Sequence, residues 1–387
     1  MTIAELHANE ELRRHEFPVV TQKIHLGHAA VCPLPRRVAE AVQARALAAT
    51  LDDQEASLPP QYLADTRRLV ADTLKAQSDE IAFVGPTSLA LSYIAGGMPW
   101  KKGHNVLVYH DDYPSNVYPW MALADRGVEV RLMNVRELGK IRVIDVQGQV
   151  DENTRLVALS SCHFVTGWRV NVDALGKWLH SRGILLSVDA IQTLGAFPTS
   201  VEHVDFLAAD THKWMLGPCA AGVLYVRKEV QSRLQPIVHG WHNVRSPQFL
   251  TQDQLQYRGD ARKYEVGSHN LLGIAGLRAA FALLEEVGVD AIAAELSRKR
   301  AWMVPALLER GYEVLQAEMP PENLGGIISF AVPGANMPDL HRALGDAGIV
   351  TSLRTTRDGR HWIRLSPHYY NTDAELHRVL EVLETPR

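Results

Sequence analysis

Between about residues 70 and 230, short apolar runs alternate with amphipathic stretches, and this alternation constrains the fold more than any other feature of the chain. NVLVYH (105–110), VEVRLMNV (128–135), TRLVALSS (154–161), GILLSVDA (183–190), VDFLAAD (204–210) and AGVLYVRK (221–228) each read as a buried strand. Segments of helical period, such as NVDALGKWLHSRG (171–183), fall between several of them. A strand that is apolar on both faces needs cover on both, and helices in crossover connections supply it. The expected fold class is α/β, with a mostly parallel sheet between helices. From about residue 270 the pattern changes. Two long helical segments, LLGIAGLRAAFALLEEVG and AIAAELSRKRAWMVPALLERG, precede the short strands GGIISFAV and HWIRLSP. A closing helix, TDAELHRVLEVLE, has Thr372 at its N-cap and Glu375 three residues on. These features describe a smaller α+β unit.

Composition narrows the class without naming a function. A chain of 387 residues has room for two domains. Its net charge of −4 offers no basic excess for nucleic acid. The three cysteines, Cys32, Cys162 and Cys219, form no CxxC pair and no even-numbered disulfide framework, which fits a reducing compartment. The first residues, MTIAELHANEELRRHEF, are charged throughout. No apolar run approaches the roughly 18 residues that span a bilayer. A soluble cytoplasmic protein is expected, with no membrane partner and no metal.

The polar residues gather where an open parallel sheet binds ligands, beyond the carboxyl ends of its strands. LLSVD ends at Asp189, with Gln192 three residues later. VALSS ends at Ser160 and Ser161, and IAFVGPTS leads through Thr87 and Ser88 into a helical pattern. LAADTHKWMLGP places His212 and Lys213 inside a segment that otherwise reads as core. A lysine deprived of water has a lowered pKa and a usable amine. A helix start flanked by hydroxyls is an anion site. An amine, an acid, an amide and a phosphate-sized anion site in one crevice suit pyridoxal phosphate. Taken singly, Asp189 reads as a strand-end cap, Thr87 and Ser88 as an N-cap, His212 as a core histidine and Lys213 as a snorkelling side chain. Those readings require four coincidences, and the cofactor reading requires one crevice.

With those residues in place, the chain resembles class V aminotransferase-fold enzymes, the pyridoxal-phosphate-dependent group that contains cysteine desulfurases, isopenicillin N epimerase-like proteins and C–S lyases. LGHAAVCPLPRRVAEAV, GPTSLAL, DDYPSNVYPW, CHFVTGWRVNV, SVDAIQTLGAFP, DFLAADTHKWMLGPCAAGVLYV, RKYEVGSHN and WIRLSPHYYNTDAEL carry the likeness over nearly the whole chain. The resemblance implies fold type I, a large domain with a mostly parallel seven-stranded sheet plus a smaller C-terminal α+β domain. It implies an N-terminal segment (1–20) near the small domain, a cofactor domain over 21–265 and a small domain over 266–387. It makes Lys213 the Schiff-base lysine, pairs Asp189 with the pyridine nitrogen and brings Gln192 to the ring hydroxyl. Thr87, Ser88 and His212 would serve the phosphate. Ser268 would reach the phosphate of a neighbouring subunit, because the family shares its site across a homodimer. Arg364 would grip a substrate carboxylate through two parallel hydrogen bonds.

Two departures from the family pattern bear on the reaction. Desulfurases carry a nucleophilic cysteine shortly before the position of Arg364, where this chain reads SLRTTRDGRHW. Many relatives also stack a histidine on the cofactor ring; here Ser161 aligns with that place, and His163 lies two residues on. The expected function is a cofactor-dependent enzyme that takes a small amino acid as an external aldimine, with β-elimination of the C–S lyase kind first. Transamination and epimerisation are the alternatives within the class. A non-catalytic cofactor-binding protein is the alternative outside it, and the retention of Lys213 and Asp189 speaks against it.

Overall fold

A computed structural model describes residues 1–383. In chain order its strands are β1 (Ile24–His25), β2 (Ile81–Val84), β3 (Asn105–Tyr109), β4 (Glu129–Met133), β5 (Thr154–Ser160), β6 (Leu185–Asp189), β7 (Phe206–Asp210), β8 (Gly222–Val226), β9 (Glu313–Val314), β10 (Ile328–Ala331), β11 (Ile349–Val350), β12 (Ser352–Thr355) and β13 (His361–Leu365). Seven of them form one sheet in the order β2-β8-β7-β6-β5-β3-β4. Only β8 runs against its neighbours, β2 and β7; the remaining pairs are parallel. This is the α/β architecture expected of the alternating runs. Every residue of β3, β6, β7 and β8 is buried, which is why these strands read as continuous apolar runs. VEVRLMNV departs from that expectation. β4 is the edge strand, hydrogen-bonded only to β3, so Glu129 is exposed and Arg131 only partly covered.

The helices cover the sheet as their sequences dictate. Val172–Ser181 starts at Asn171, whose side chain accepts the Ala174 N–H, and it buries Leu175, Gly176 and Leu179. Leu271–Val287 packs on Arg36–Ala48 and Tyr62–Leu74. A second sheet, β12-β13-β10-β9, is antiparallel throughout. Its apolar cluster includes Met303, Leu307, Phe330, Trp362, Ile363 and Leu376. The closing helix has the reciprocal cap that its sequence spells. Thr372 Oγ1 accepts from the Glu375 N–H at 3.3 Å, and Glu375 Oε2 accepts from the Thr372 N–H at 3.1 Å. The N-terminal helices meet this region: Phe17 stacks on Tyr370 with centroids 4.1 Å apart, and Arg13 pairs with Glu375 at 2.7 Å.

What positions the site is the alignment of strand ends. Ser160 and Asp189 are register partners at the ends of β5 and β6. Asp210 ends β7 beside them, and Thr87–Gly97 begins a helix two residues after β2. The polar residues that follow these strands therefore open onto one crevice.

Candidate active site

The crevice contains a cavity of about 370 Å³ lined by Thr87, Ser88, Asp189, Gln192, His212, Lys213 and Arg364. These residues, gathered from across the sequence, meet at one place. Ser268, the remaining residue of the expected set, does not line it. It lines a separate recess with Gly85, Gly222 and Asn270.

Lys213 follows β7 in a tight turn. Leu216 adopts a left-handed φ of 60°, and the Gly217 N–H returns to Thr211 O at 2.9 Å. A Cβ on Gly217 would stand 2.5 Å from the Thr211 side chain, so the turn requires glycine there. Lys213 is 5% exposed, and burial pulls its ammonium down to about 8, against the opposing charge of Asp189. Asp189 is 1% exposed and accepts the Ile191 N–H at 3.0 Å. Burial raises its carboxyl to about 7, against that hydrogen bond and the Lys213 charge. A buried amine and a buried acid thus face the same space, each perturbed toward its neutral form.

The opposite end of the cavity suits an anion. The helix Thr87–Gly97 has no side-chain cap, which leaves its first backbone N–H groups free. Thr87 Oγ1 accepts the Asp210 N–H at 2.9 Å, and Ser88 Oγ donates to Ser115 Oγ at 2.8 Å. Asp210 also accepts from the Thr211, Ala220 and Ala221 N–H groups and holds His212 Nδ1 at 2.8 Å. That buried carboxylate fixes the turn carrying His212 and Lys213. Gln192 is anchored at both ends of its amide: Oε1 accepts from Trp214 Nε1 at 2.9 Å, and Nε2 donates to Ala29 O at 3.1 Å. The second Nε2 hydrogen remains for a ligand.

The two residues that the alignment offered for stacking on the ring lie outside the cavity. Ser161 Oγ shares a hydrogen bond with Thr193 Oγ1 at 2.7 Å, and His163 bonds to Asp111 O and Thr166 Oγ1, so neither lines the cavity. The aromatic face over the lysine is Tyr113, whose ring centroid lies 5.1 Å from Lys213 Nζ. Asp112 holds its loop, accepting from the Tyr113 N–H at 2.7 Å, Ser160 Oγ at 2.7 Å and Asn116 Nδ2 at 3.1 Å. Tyr113 lay inside the segment DDYPSNVYPW that carried the resemblance, so its signal was present. Arg354, on β12, also lines the cavity and was not foreseen.

Arg364, on β13, is 1% exposed. Its NH1 donates to Phe164 O at 2.6 Å, while its Nε is buried with no hydrogen-bond partner. An unpaired buried donor of this kind is costly unless a ligand completes it. No cysteine lines the cavity. Cys32 and Cys162 are buried elsewhere, and burial pushes both thiols up to about 12, whereas Cys219 is exposed.

Comparison with known proteins extends this picture. The family model for aminotransferase class-V matches residues 24–379. A probable cysteine desulfurase of Methanothermobacter thermautotrophicus is 30% identical over 399 residues, covering 97% of each chain. An uncharacterized aminotransferase, YcbU, of Bacillus subtilis is 29% identical over 319 residues, covering 81% of each. Among solved structures, the apo cysteine desulfurase from Thermococcus onnurineus NA1 superposes with a TM-score of 0.87 at 25% identity, covering 96% of each chain.

Proposed function

Because the chain belongs to the aminotransferase class-V family, we propose that it is a pyridoxal-phosphate-dependent enzyme that eliminates a β-substituent from a small amino acid. The observation that carries this reading is the meeting of Lys213, Asp189, Thr87, Ser88, His212 and Arg364 on one cavity. The residues present fit the cofactor. Asp189 is a buried acid with a single backbone donor, suited to a protonated pyridine nitrogen. The uncapped helix start beside His212 suits a phosphate dianion. Lys213 is a buried amine with a lowered pKa, suited to an aldehyde.

Each side chain has a task in that reaction. Lys213 would hold the cofactor and, once the substrate amine replaces it, stand free to take the Cα proton. Asp189 would keep a proton on the ring nitrogen by placing a negative charge beside it. Thr87, Ser88, His212 and the free N–H groups would bind the phosphate, and Tyr113 would cover the ring face. Gln192 would donate to the ring hydroxyl through its remaining N–H. Arg364 would satisfy its Nε on the substrate α-carboxylate and so fix the orientation of Cα. Pyridoxal phosphate, when bound, supplies the electron sink for the pair left at Cα. Neither the cavity nor the stretch 351–364 holds a cysteine, so a group leaving Cβ would find no thiol there to receive it.

The test is direct. The loaded protein is reduced with borohydride, digested and mapped, then screened against amino acids and cysteine conjugates for pyruvate, ammonia and sulfide. The label is expected on Lys213, and Lys213→Ala is expected to lose both label and turnover. A label on another lysine refutes the assignment. Persulfide accumulating on Cys32, Cys162 or Cys219 during turnover with cysteine would make the enzyme a desulfurase instead.

A further inference from the structure

Away from the cavity, the fold holds two histidines and a glutamate together. Glu265 follows the turn Ala261–Tyr264, and His269 stands two residues before the helix Leu271–Val287. His242 comes from the loop after β8, which is laced to the same segment. Its N–H donates to Val266 O at 3.3 Å, and Asn243 Nδ2 donates to Lys263 O at 3.1 Å. One ligand atom from each of the three side chains lies within 4.8 Å of the other two. The rings of His242 and His269 meet edge to face, with centroids 4.6 Å apart. Among the described residues a second such group, Asp173, Glu202 and His203, has both of its acidic residues exposed. His242 and Glu265 are 23 residues apart with no regular spacing between them, so the sequence predicts no metal here.

Hydrogen bonds fix the chemical state of each donor. His242 Nδ1 lies 3.0 Å from Glu265 O. A carbonyl only accepts, so Nδ1 carries the proton and Nε2 keeps its lone pair. Burial lowers the His242 pKa, which keeps the ring neutral. A ligating histidine is oriented in this way, by donating its other ring N–H to the backbone. Glu265 is 3% exposed, and its carboxylate is aligned by Arg67 NH1 at 2.6 Å, Arg67 NH2 at 3.1 Å and the Phe83 N–H at 2.7 Å. Burial pushes its carboxyl up, but the His269 hydrogen bond and the Arg67 charge outweigh burial and hold it at about 2. His269 Nε2 stands 2.9 Å from Glu265 Oε2, with a proton between them. An ion that displaces that proton to solvent meets two lone pairs there and the His242 lone pair as a third. Two imidazoles and one carboxylate are a donor set that zinc takes at about 2.0–2.2 Å, and the half-buried rings can close to that distance. The Arg67 charge opposes any cation, so the imidazoles carry the affinity. That disfavours Ca²⁺ and Mg²⁺, which need several oxygens.

We propose that His242, Glu265 and His269 bind a zinc-type divalent ion that fixes the loop Gly267–Ser268 between two of its ligands. Glu265, His269 and Ser268 line one recess of about 230 Å³, which leaves room for water as a fourth ligand. None of the three ligands lines the cavity of Lys213, so the ion's role is structural and independent of the cofactor reading.

The test uses the full chain, freed of metal with a chelator and checked for its fold by circular dichroism. Calorimetric titration with ZnCl₂ is expected to give one Zn²⁺ per chain, with Ca²⁺ and Mg²⁺ at least roughly 100-fold weaker. His242→Gln leaves the Glu265–Arg67 pair intact. It is expected to weaken Zn²⁺ by more than the roughly 10–100-fold that losing an outer-shell partner costs, and His269→Gln to do the same. Cys219→Ser and His203→Gln, which remove an exposed thiol and the histidine of the second group, are expected to leave binding unchanged. Hydrogen exchange read by mass spectrometry should slow in the peptide 265–270 when Zn²⁺ is bound. No uptake of Zn²⁺, equal uptake by the wild type and both histidine variants, or protection confined to other peptides overturns the proposal. So does a site that prefers Ca²⁺, or Zn²⁺ binding that is lost in Cys219→Ser.

Discussion

At Lys213, burial and the Asp189 charge pull in opposite directions, and burial wins, leaving the amine at about 8 in the cofactor-free protein. Below that pH the amine is protonated and inert. Its acylation by a small amine-directed ester is therefore expected to rise about tenfold per pH unit up to about 8 and then level off, whereas an ordinary lysine keeps rising to about 10.4. Mass spectrometry of the Lys213 peptide, with exposed Lys101 as internal reference, checks this. An inflection near 10 at Lys213 would refute it. Asp189→Asn removes the charge that favours the ammonium, so its inflection should move below 8. The sequence disclosed Lys213 and Asp189 because a titratable residue at the end of an apolar strand is itself the anomaly. It did not disclose that Arg354 lines the cavity beside Arg364. Their proximity comes from an antiparallel pairing ten residues apart, and an arginine in a short strand next to a polar turn reads as solvated. Nor did the sequence separate Tyr113 from Ser161 or His163 as the residue over the lysine, since that choice depends on how Asp112 folds the loop after β3.

Among the elements, the runs read as strands are strands, because full burial of both faces leaves an unbroken apolar signature. β4 gave the same signature from an edge position, where two apolar neighbours of a charged residue mimic burial. The helix Val172–Ser181 shows what the pattern hides. Gly176 sits mid-helix, where propensity alone favours alanine by about 1 kcal/mol. A Cβ there would stand 2.0 Å from the His203 carbonyl oxygen, so the helix approaches that backbone as only glycine allows. Overpacking of this kind costs about 1–3 kcal/mol and outweighs the propensity gain. Gly176→Ala is expected to lower the thermal midpoint, read by calorimetry. A raised midpoint would show that the contact yields freely.

At the scale of the whole molecule, two surface features lie outside the cavity. Ser268 faces a recess apart from the chain's own cavity, and the surface around residues 241–255 exposes Trp241, Leu250, Leu255 and a 77% exposed Phe249. We expect a homodimer that covers this surface and brings Ser268 to the partner's phosphate site. Light scattering should give twice the mass of the chain, and Ser268→Ala should weaken cofactor retention. A monomer with full cofactor occupancy would refute both. No helix among the described residues is long and apolar enough to cross a membrane. The order of the cavity's residues along the chain has a consequence for biogenesis. Thr87, Tyr113, Asp189, His212 and Lys213 leave the ribosome well before Arg354 and Arg364, which come from the last two strands. A chain still being made would thus own its cofactor grip before its substrate grip, and the aldehyde could be captured while no amino acid can yet be held. Phe17, made early, likewise cannot stack on Tyr370 until that late segment has been made.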